Sequence, residues 1–310
     1  MSSLEIPEEP DIPENILQSA NAGKLCFFLG AGVSRLIGCK GWKEVATNLI
    51  EKCFELECIN FRKKESIIGI NDPKKIITIC YNILFEKGSK DTFFESIGRC
   101  LQTNSELCKT QNVYTELSSL LSQIPAIYLT TNIDTNFDFA FKKTNIIIEE
   151  KDFNAKNIFV DKLYKIHGAI EQPNSIIFTV PQYIQRYRNQ DFSNFLKQIF
   201  ASCSIVFLGY GLEEFEILDF LVTKMGQKTV GLKHCILLPY YKGEKYLFDF
   251  DKNYFKPLGI EVVPFEKDEK GHAQLYTVVK KWTKDLTELT NVPHEMVKMM
   301  EETVDSLDTR

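Results

Sequence analysis

Four short groups of residues have the types and spacing that could do chemistry, and each follows an apolar stretch of the chain. The groups are Gly30-Ala-Gly-Val-Ser34, Thr130-Thr-Asn-Ile-Asp134, His167-Gly168 and Gly209-Tyr-Gly-Leu212. Glycines let the backbone approach a phosphate closely, Asn and Asp bind hydroxyl and amide groups, and His takes up a proton near neutral pH. Because open parallel sheets bind ligands at the carboxyl ends of their strands, we expect the four groups to lie together.

The first glycine group allows two interpretations. Between a buried strand and a helix, it suits a phosphate held by backbone amides, and it equally suits a tight turn that holds no ligand. The dinucleotide fingerprint G-x-G-x-x-G is incomplete, because Arg35 stands at the third glycine position. Leu25, rather than Ser or Thr, follows Ala22-Gly-Lys24, so the sequence lacks a P-loop and argues against ATP hydrolysis.

The polar residues of the other groups also have a structural alternative. Asn132 and Asp134 can hold a ligand at a strand end or cap the following helix, and Asp134 is the better placed cap. His167 can act as a general base or as a buried structural histidine. The turn at Gly209 offers a second close backbone approach or an ordinary turn of the sheet. The other histidines lack such a context and are interpreted as structural or exposed: His234, His272 and His294.

The elements that must position these residues alternate between strands and helices. Predicted strands cover residues 24–29, 126–130, 145–149, 163–166, 176–179, 204–208, 234–238 and 260–264. Predicted helices cover about 42–57, 181–188, 190–201, 213–225, 272–288 and 293–307. Residues 132–141 are predicted to be a turn that enters a helix. This alternation predicts an α/β fold with a mostly parallel, doubly wound sheet.

Residues 60–122 differ from the rest of the chain. Three helical patterns, around 73–86, 90–102 and 111–123, follow one another with no predicted strand between them. We interpret this block as a helical insertion or small lobe. The predicted organisation is a polar N-terminal segment (1–19), a sheet domain (20–59 and 123–270), the helical block (60–122) and C-terminal helices (271–310).

Composition argues against several classes of protein. The 310 residues carry a formal net charge of −5, so the chain shows no electrostatic footprint for nucleic acid or an anionic membrane. We recognise no signal peptide and no apolar run of ~18 residues, the length a membrane span needs. Nine scattered cysteines suit reduced thiols in the cytoplasm. We expect no zinc site, because Cys53 and Cys58 are not joined by a second close pair.

In their order along the chain, the four groups resemble the GAGxS, QNID, HG and GTS/GYS-type motifs of the sirtuin family. The resemblance covers about residues 20–265 and implies a Rossmann-like domain with a smaller inserted lobe. It departs from the deacylase branch in three places. Only Cys203 and Cys235 follow the HG motif, so the zinc-binding pairs are missing; Thr131 replaces the family glutamine; and residues 35–40 replace the GIPDFR-like segment. The chain is more similar to the zinc-less sirtuin-like effector domains of bacterial anti-phage systems.

This resemblance implies binding and hydrolysis of NAD without a metal. Asn132 would hold the ribose or the attacking water, His167 would be the general base, and Asp134 would contact the nicotinamide carboxamide or organise its loop. The other implied NAD-binding residues are Gly30, Ala31, Gly32 and Ser34 at the pyrophosphate, Thr131, and Gly209, Tyr210 and Gly211 on the adenosine side.

The resemblance also implies how such a domain works in the cell. These effectors deplete NAD, usually as homo-oligomers that a sensor domain or partner protein controls. No direct nucleic-acid or membrane partner is implied. Two alternatives remain: an NAD-dependent protein deacylase, and a non-catalytic module that senses NAD or ADP-ribose. The missing zinc pairs argue against the first, and the presence of both Asn132 and His167 argues against the second.

Overall fold

A seven-stranded, all-parallel sheet forms the centre of the computed structural model, which describes residues 6–210 and 233–290. The strand order is β3-β4-β2-β1-β5-β6-β7. The strands are β1 Leu25–Leu29, β2 Ala126–Thr130, β3 Ile146–Ile147, β4 Leu163–Lys165, β5 Ser204–Leu208, β6 His234–Tyr240 and β7 Ile260–Glu266. Helices flank this sheet, so the predicted Rossmann-like α/β fold is confirmed.

Twelve α-helices lie within the described residues. They are α1 Glu14–Asn21, α2 Ala31–Leu36, α3 Trp42–Glu55, α4 Phe61–Ile68, α5 Pro73–Glu86, α6 Lys90–Cys100, α7 Ser105–Thr110, α8 Val113–Ser118, α9 Val180–Arg188, α10 Gln190–Ser202, α11 Lys245–Phe255 and α12 Gln274–Leu289. The predicted helices over 213–225 and 293–307 lie outside the described residues, as do Gly211, Leu212 and His294.

The sheet is covered on both faces, because successive side chains of a strand point in opposite directions. In β1, Leu25, Phe27 and Leu29 enter one apolar core, which α8 and α12 also line. Cys26 and Phe28 enter a second core, which α10 lines on the other face. All five residues of β1 are buried, as are those of β2 and β5. This explains why these strands read as continuous apolar runs in the sequence.

Helices α3 to α6 build a third apolar core beside the sheet. Its members include Leu49 on α3, Ile77 on α5 and Ile97 on α6. Ile133 and Phe178 belong to the same core, although they come from segments that follow the block along the chain. This third core therefore packs directly against the loops that carry the candidate site.

The order of the strands reverses between β1 and β5. From β1 the chain moves to β2, then to β3 at the edge and back to β4, all on one side, and then crosses to β5 on the other side of β1. In open α/β sheets, ligands bind in the crevice beyond the carboxyl ends of the strands at such a reversal. The groups at Gly30 and Gly209 follow these two strands.

Some elements differ from the sequence prediction. Residues 176–179 form no strand; Ile177 N donates to His167 O at 3.0 Å, which ties the segment to the turn after β4. The helix predicted after residue 132 is a short 3₁₀ turn, Asp138–Ala140. Helices α1 and α11 were not predicted, and five helices (α4 to α8) occupy residues 60–122 where three were expected.

Candidate functional site

The four groups meet at one edge of the sheet, because β4, β2, β1 and β5 are consecutive neighbours in it. A cleft opens there and encloses about 540 Å³, including the space at its mouth. Six of the predicted site residues line the cleft: Ala31, Ser34, Thr131, Asn132, Asp134 and His167.

The side-chain amide of Asn132 lies within hydrogen-bond distance of three acceptors, two in the segment after β1 and one on α8. Its Nδ2 atom lies 2.9 Å from Gly30 O, 3.1 Å from Ser34 Oγ and 3.0 Å from Tyr114 OH. Its backbone N–H donates to Thr130 Oγ1 at 3.0 Å. The side chain is 8% exposed, so these bonds form away from bulk water and fix its orientation strongly.

Asp134 joins the same network through Ser34. The Ser34 hydroxyl donates to Asp134 Oδ2 at 2.7 Å and lies 2.7 Å from Tyr114 OH. The other carboxylate oxygen, Oδ1, accepts the N–H of Asn136 at 3.0 Å. This bond forms an Asx turn, and the chain after it makes the short 3₁₀ turn Asp138–Ala140 in place of the predicted helix.

His167 lies just beyond β4 in an aromatic environment. Its ring is 1% exposed, meets the ring of Tyr183 edge to face at 5.0 Å, and places Nε2 3.1 Å from Tyr187 OH. Burial, and then the positive charges of Lys74 and Arg186, hold the pKa of His167 well below its ordinary 6.5. The imidazole is therefore neutral at physiological pH, which is the state a general base requires.

The two glycine turns interlock at the strand reversal. Gly32 N donates to Gly209 O at 2.7 Å, and Gly30 N donates to Leu208 O at 3.0 Å. A Cβ atom on Gly32 would lie 2.6 Å from Gly209 O, and one on Gly30 would lie 2.7 Å from the same oxygen. These glycines therefore have a packing role that does not depend on a ligand.

Gly209 and Tyr210, which follow β5, are not among the residues that line the cleft. Tyr210 is 3% exposed and packs in the second core, with its ring centroid 5.1 Å from that of Phe28 and 5.8 Å from that of Phe207. Gly209 adopts a positive φ of 59° and supports the first glycine turn. Gly211 lies outside the described residues.

Comparison with known proteins gives two matches. Residues 126–261 match the sequence profile of the SIR2-like domain. The chain is similar to this domain over those residues. It is also 30% identical over 212 residues to Defense-associated sirtuin 2 of Bacillus subtilis, an alignment that covers 66% of this chain and 19% of that protein. The match thus spans about a fifth of the relative's length. The predicted resemblance to the sirtuin family is confirmed, and SIR2-like proteins use NAD.

Two buried residues of the network around the cleft escaped the sequence prediction. Tyr114, on α8, is 1% exposed and bonds both Ser34 and Asn132. Lys165, at the end of β4, is also 1% exposed; its Nζ donates to Asp134 O at 2.5 Å and to Asp138 Oδ1 at 3.0 Å. Nothing in its sequence context marks Tyr114, but a lysine inside an apolar strand is a signal that could have identified Lys165.

The outer part of the cleft is aromatic. Trp42 stacks on Phe178 with ring centroids 4.7 Å apart, and Lys74 Nζ lies 4.7 Å from the centroid of Tyr183. Cys39 also lines the cleft, and burial is the main cause that raises the pKa of its thiol to about 12. A thiol with this pKa stays protonated near neutral pH, so Cys39 is not suited to act as a nucleophile.

No cluster of three or more metal-ligating side chains occurs among residues 6–210 and 233–290. In the same two ranges, no helix combines the length and apolar character needed to cross a membrane.

Proposed function

We propose that this chain is an NAD+ glycohydrolase that cleaves NAD to nicotinamide and ADP-ribose. The observation that carries the proposal is the presence of two polar side chains in one cleft, in states that suit this reaction. His167 is a buried, neutral imidazole, and Asn132 is fixed by three hydrogen-bond acceptors. The SIR2-like domain match supports NAD as the substrate.

Cleavage of NAD by water requires a base for the water but no acid for the leaving group. The bond between the ribose C1′ and the nicotinamide nitrogen breaks, and its electron pair neutralises the positive charge of the leaving group. A water oxygen forms the new bond to C1′, and its proton passes to His167 and then to solvent. Because the leaving group needs no proton, catalysis depends on positioning the ribose and the water and on stabilising oxocarbenium-like charge.

Each predicted residue has a role in this scheme. Asn132 holds the ribose or the attacking water, and His167 is the general base. Asp134 contacts the nicotinamide carboxamide or organises its loop, a role supported by its bond to Ser34. Gly30, Ala31, Gly32, Ser34 and Thr131 bind the rest of NAD, with Gly209, Tyr210 and Gly211 on the adenosine side. The N–H groups of Gly30 and Gly32 already donate to Leu208 O and Gly209 O, so these two glycines would shape the pyrophosphate site rather than donate to it.

The cellular part of the proposal rests on the relative's name. Defense-associated sirtuin 2 is longer than this chain, and its name links it to defence. We propose that the present chain depletes NAD in the cytoplasm on phage infection, as a homo-oligomer under a sensor domain or partner. Infected cells that carry wild-type protein should lose NAD and release fewer phage than cells carrying His167→Ala. Equal NAD levels in the two strains after infection would remove this part of the proposal.

The chemistry is tested by incubating the purified protein with NAD, with and without an acetyl-lysine peptide, and separating the products by chromatography. We expect nicotinamide and ADP-ribose in equal amounts, whether or not the peptide is present. Products formed only with the peptide, together with O-acetyl-ADP-ribose, would indicate a deacylase. Tight NAD binding with no product in any oligomeric state would indicate a sensor.

A further inference from the structure

One ring nitrogen of His167, Nε2, has a hydrogen-bond partner on helix α9. Nε2 lies 3.1 Å from the hydroxyl of Tyr187, on the last turn of α9. The described residues that line the cleft include His167 and Tyr183 but not Tyr187. The edge of the ring that carries Nε2 is therefore turned toward a side chain outside the cleft.

This arrangement restricts how His167 can act as a base. A neutral imidazole carries one hydrogen, and the hydrogen bond at one nitrogen determines which nitrogen carries it. If Tyr187 donated to Nε2, the hydrogen of the ring would be on Nδ1, and Nδ1 could take no proton. If Nε2–H donates to the Tyr187 oxygen instead, Nδ1 is bare and can accept a proton from the cleft.

Tyr187 is held firmly in this position by its neighbours. Its ring meets the fully buried Phe192 on α10 edge to face, with centroids 5.2 Å apart. Tyr183, one helical turn earlier, packs against the His167 ring at 5.0 Å. The phenol oxygen therefore faces Nε2 as a fixed partner rather than as a mobile surface group.

We propose that Tyr187 is a positioning residue that keeps His167 in the Nε2–H tautomer, so that Nδ1 is the nitrogen that takes up the proton. The proposal rests on the NAD cleavage proposed above. The proton of the attacking water moves to Nδ1, while the Nε2–H bond to Tyr187 stays in place. The imidazolium then releases the Nδ1 proton to solvent, which restores the starting tautomer.

Nitrogen NMR of protein labelled with ¹⁵N-histidine tests the tautomer without any substrate. The His167 signals are assigned by their loss in His167→Gln. We expect wild-type protein to show a hydrogen on Nε2 and a bare Nδ1. In Tyr187→Phe, which keeps the ring but removes the acceptor, a buried Nε2–H would lack a partner, so we expect the hydrogen to move to Nδ1. A bare Nε2 in wild type, or an unchanged tautomer in Tyr187→Phe, overturns the proposal.

Kinetics give the second readout. Tyr187 does not line the cleft, so Tyr187→Phe should lower kcat about tenfold or more, within the range of general-base effects, and leave KM unchanged. Tyr254→Phe, on the exposed side of α11, is the matched control and should keep wild-type kcat. An unchanged kcat in Tyr187→Phe overturns the proposal. If wild type cleaves no NAD, the proposed function fails, but the NMR spectra still decide the tautomer.

Discussion

Asn132 and His167 are both buried, but the first has polar surroundings and the second has aromatic surroundings. Asn132 lies among hydrogen-bond acceptors, whereas His167 lies between the aromatic rings of Tyr183 and Tyr187. The first environment fixes the direction of an amide, and the second keeps an imidazole uncharged. The cleft therefore contains an amide with a fixed orientation, Asn132, and a base that is unprotonated at neutral pH, His167.

Tyr114 is predicted to act through Asn132. Tyr114→Phe removes the hydroxyl that Asn132 and Ser34 share, and it leaves the ring stacked on Phe137. Because the buried Asn132 and Ser34 both lose a partner, we expect the free energy of unfolding to fall by about 1–3 kcal/mol and kcat to fall about tenfold as Asn132 loosens. Chemical denaturation and steady-state kinetics measure the two effects.

The matched control for this change is Tyr276→Phe. Tyr276 OH bonds Glu116 Oε1 at 2.8 Å, so the substitution removes a hydroxyl between α12 and the same helix α8 without touching the cleft. We expect its kcat to equal that of wild type. A Tyr114→Phe enzyme with full kcat would show that the network does not position Asn132.

Several site residues could be predicted from the sequence because they directly follow apolar strands. Asn132, Asp134 and His167 stand in that position, and the structure places all three in the cleft. Tyr114 could not be predicted, because it lies on a short helix and reaches Asn132 only through the packing of α8 against the first core. Tyr187 was missed for a similar reason, since its partner His167 is 20 residues away.

At the scale of elements, the site depends on the contact between the turns after β1 and β5. Gly32→Ala would place a Cβ atom 2.6 Å from Gly209 O, against backbone that cannot rotate away. We expect the free energy of unfolding to fall by about 1–3 kcal/mol, as for other overpacked positions, and NAD binding to weaken because the turns separate. Denaturant titration and calorimetry with NAD test both effects.

Gly243→Ala is a suitable comparison for this variant. A Cβ atom on Gly243 meets nothing within 4 Å, so its stability should stay within about 0.5 kcal/mol of wild type. If Gly32→Ala proved as stable as Gly243→Ala, the two turns would not be packed as described.

The strands were the most predictable elements, since β1 is apolar throughout, β2 at every position except Thr130 and β5 at every position except Ser204. Residues 176–179 have the same apolar character but do not pair with the sheet. Ile176 and Phe178 instead pack into the third core, a contact that no local pattern reveals. Helix α11 was missed because only Phe255 of its eleven residues is buried, which leaves a weak apolar pattern.

At the scale of the molecule, the two ends of the described chain pack together. Trp282 Nε1 on α12 donates to Pro10 O at 2.8 Å, and Glu266 N on β7 donates to Pro7 O at 2.9 Å. Helix α12 also contacts α8 through the Tyr276–Glu116 bond. The segment read as a polar lead-in is thus part of the packed structure, and long-range contacts of this kind could not be predicted from composition.

The buried His167 should make the stability of the whole protein depend on pH. Its folded pKa lies well below the ordinary 6.5, so below that pH the unfolded chain binds a proton that the folded protein does not. The contribution of His167 to the free energy of unfolding is therefore complete above pH 6.5. It decreases as the pH falls below that value, by at most ~1.4 kcal/mol per pH unit. Denaturant titrations between pH 7.5 and 5.5 should show a steeper loss in wild type than in His167→Gln. Parallel curves would contradict the assignment of a depressed pKa.

The most direct test of the proposed function compares NAD turnover and NAD binding in wild type, His167→Ala and His272→Ala. His272 lies in a 3₁₀ turn outside the cleft and serves as the matched control. We expect wild type and His272→Ala to release nicotinamide at equal rates. His167→Ala should bind NAD with similar affinity but release nicotinamide about 10²–10⁴-fold more slowly. Nicotinamide release by His167→Ala at the wild-type rate would contradict the proposal that His167 is the base of an NAD glycohydrolase.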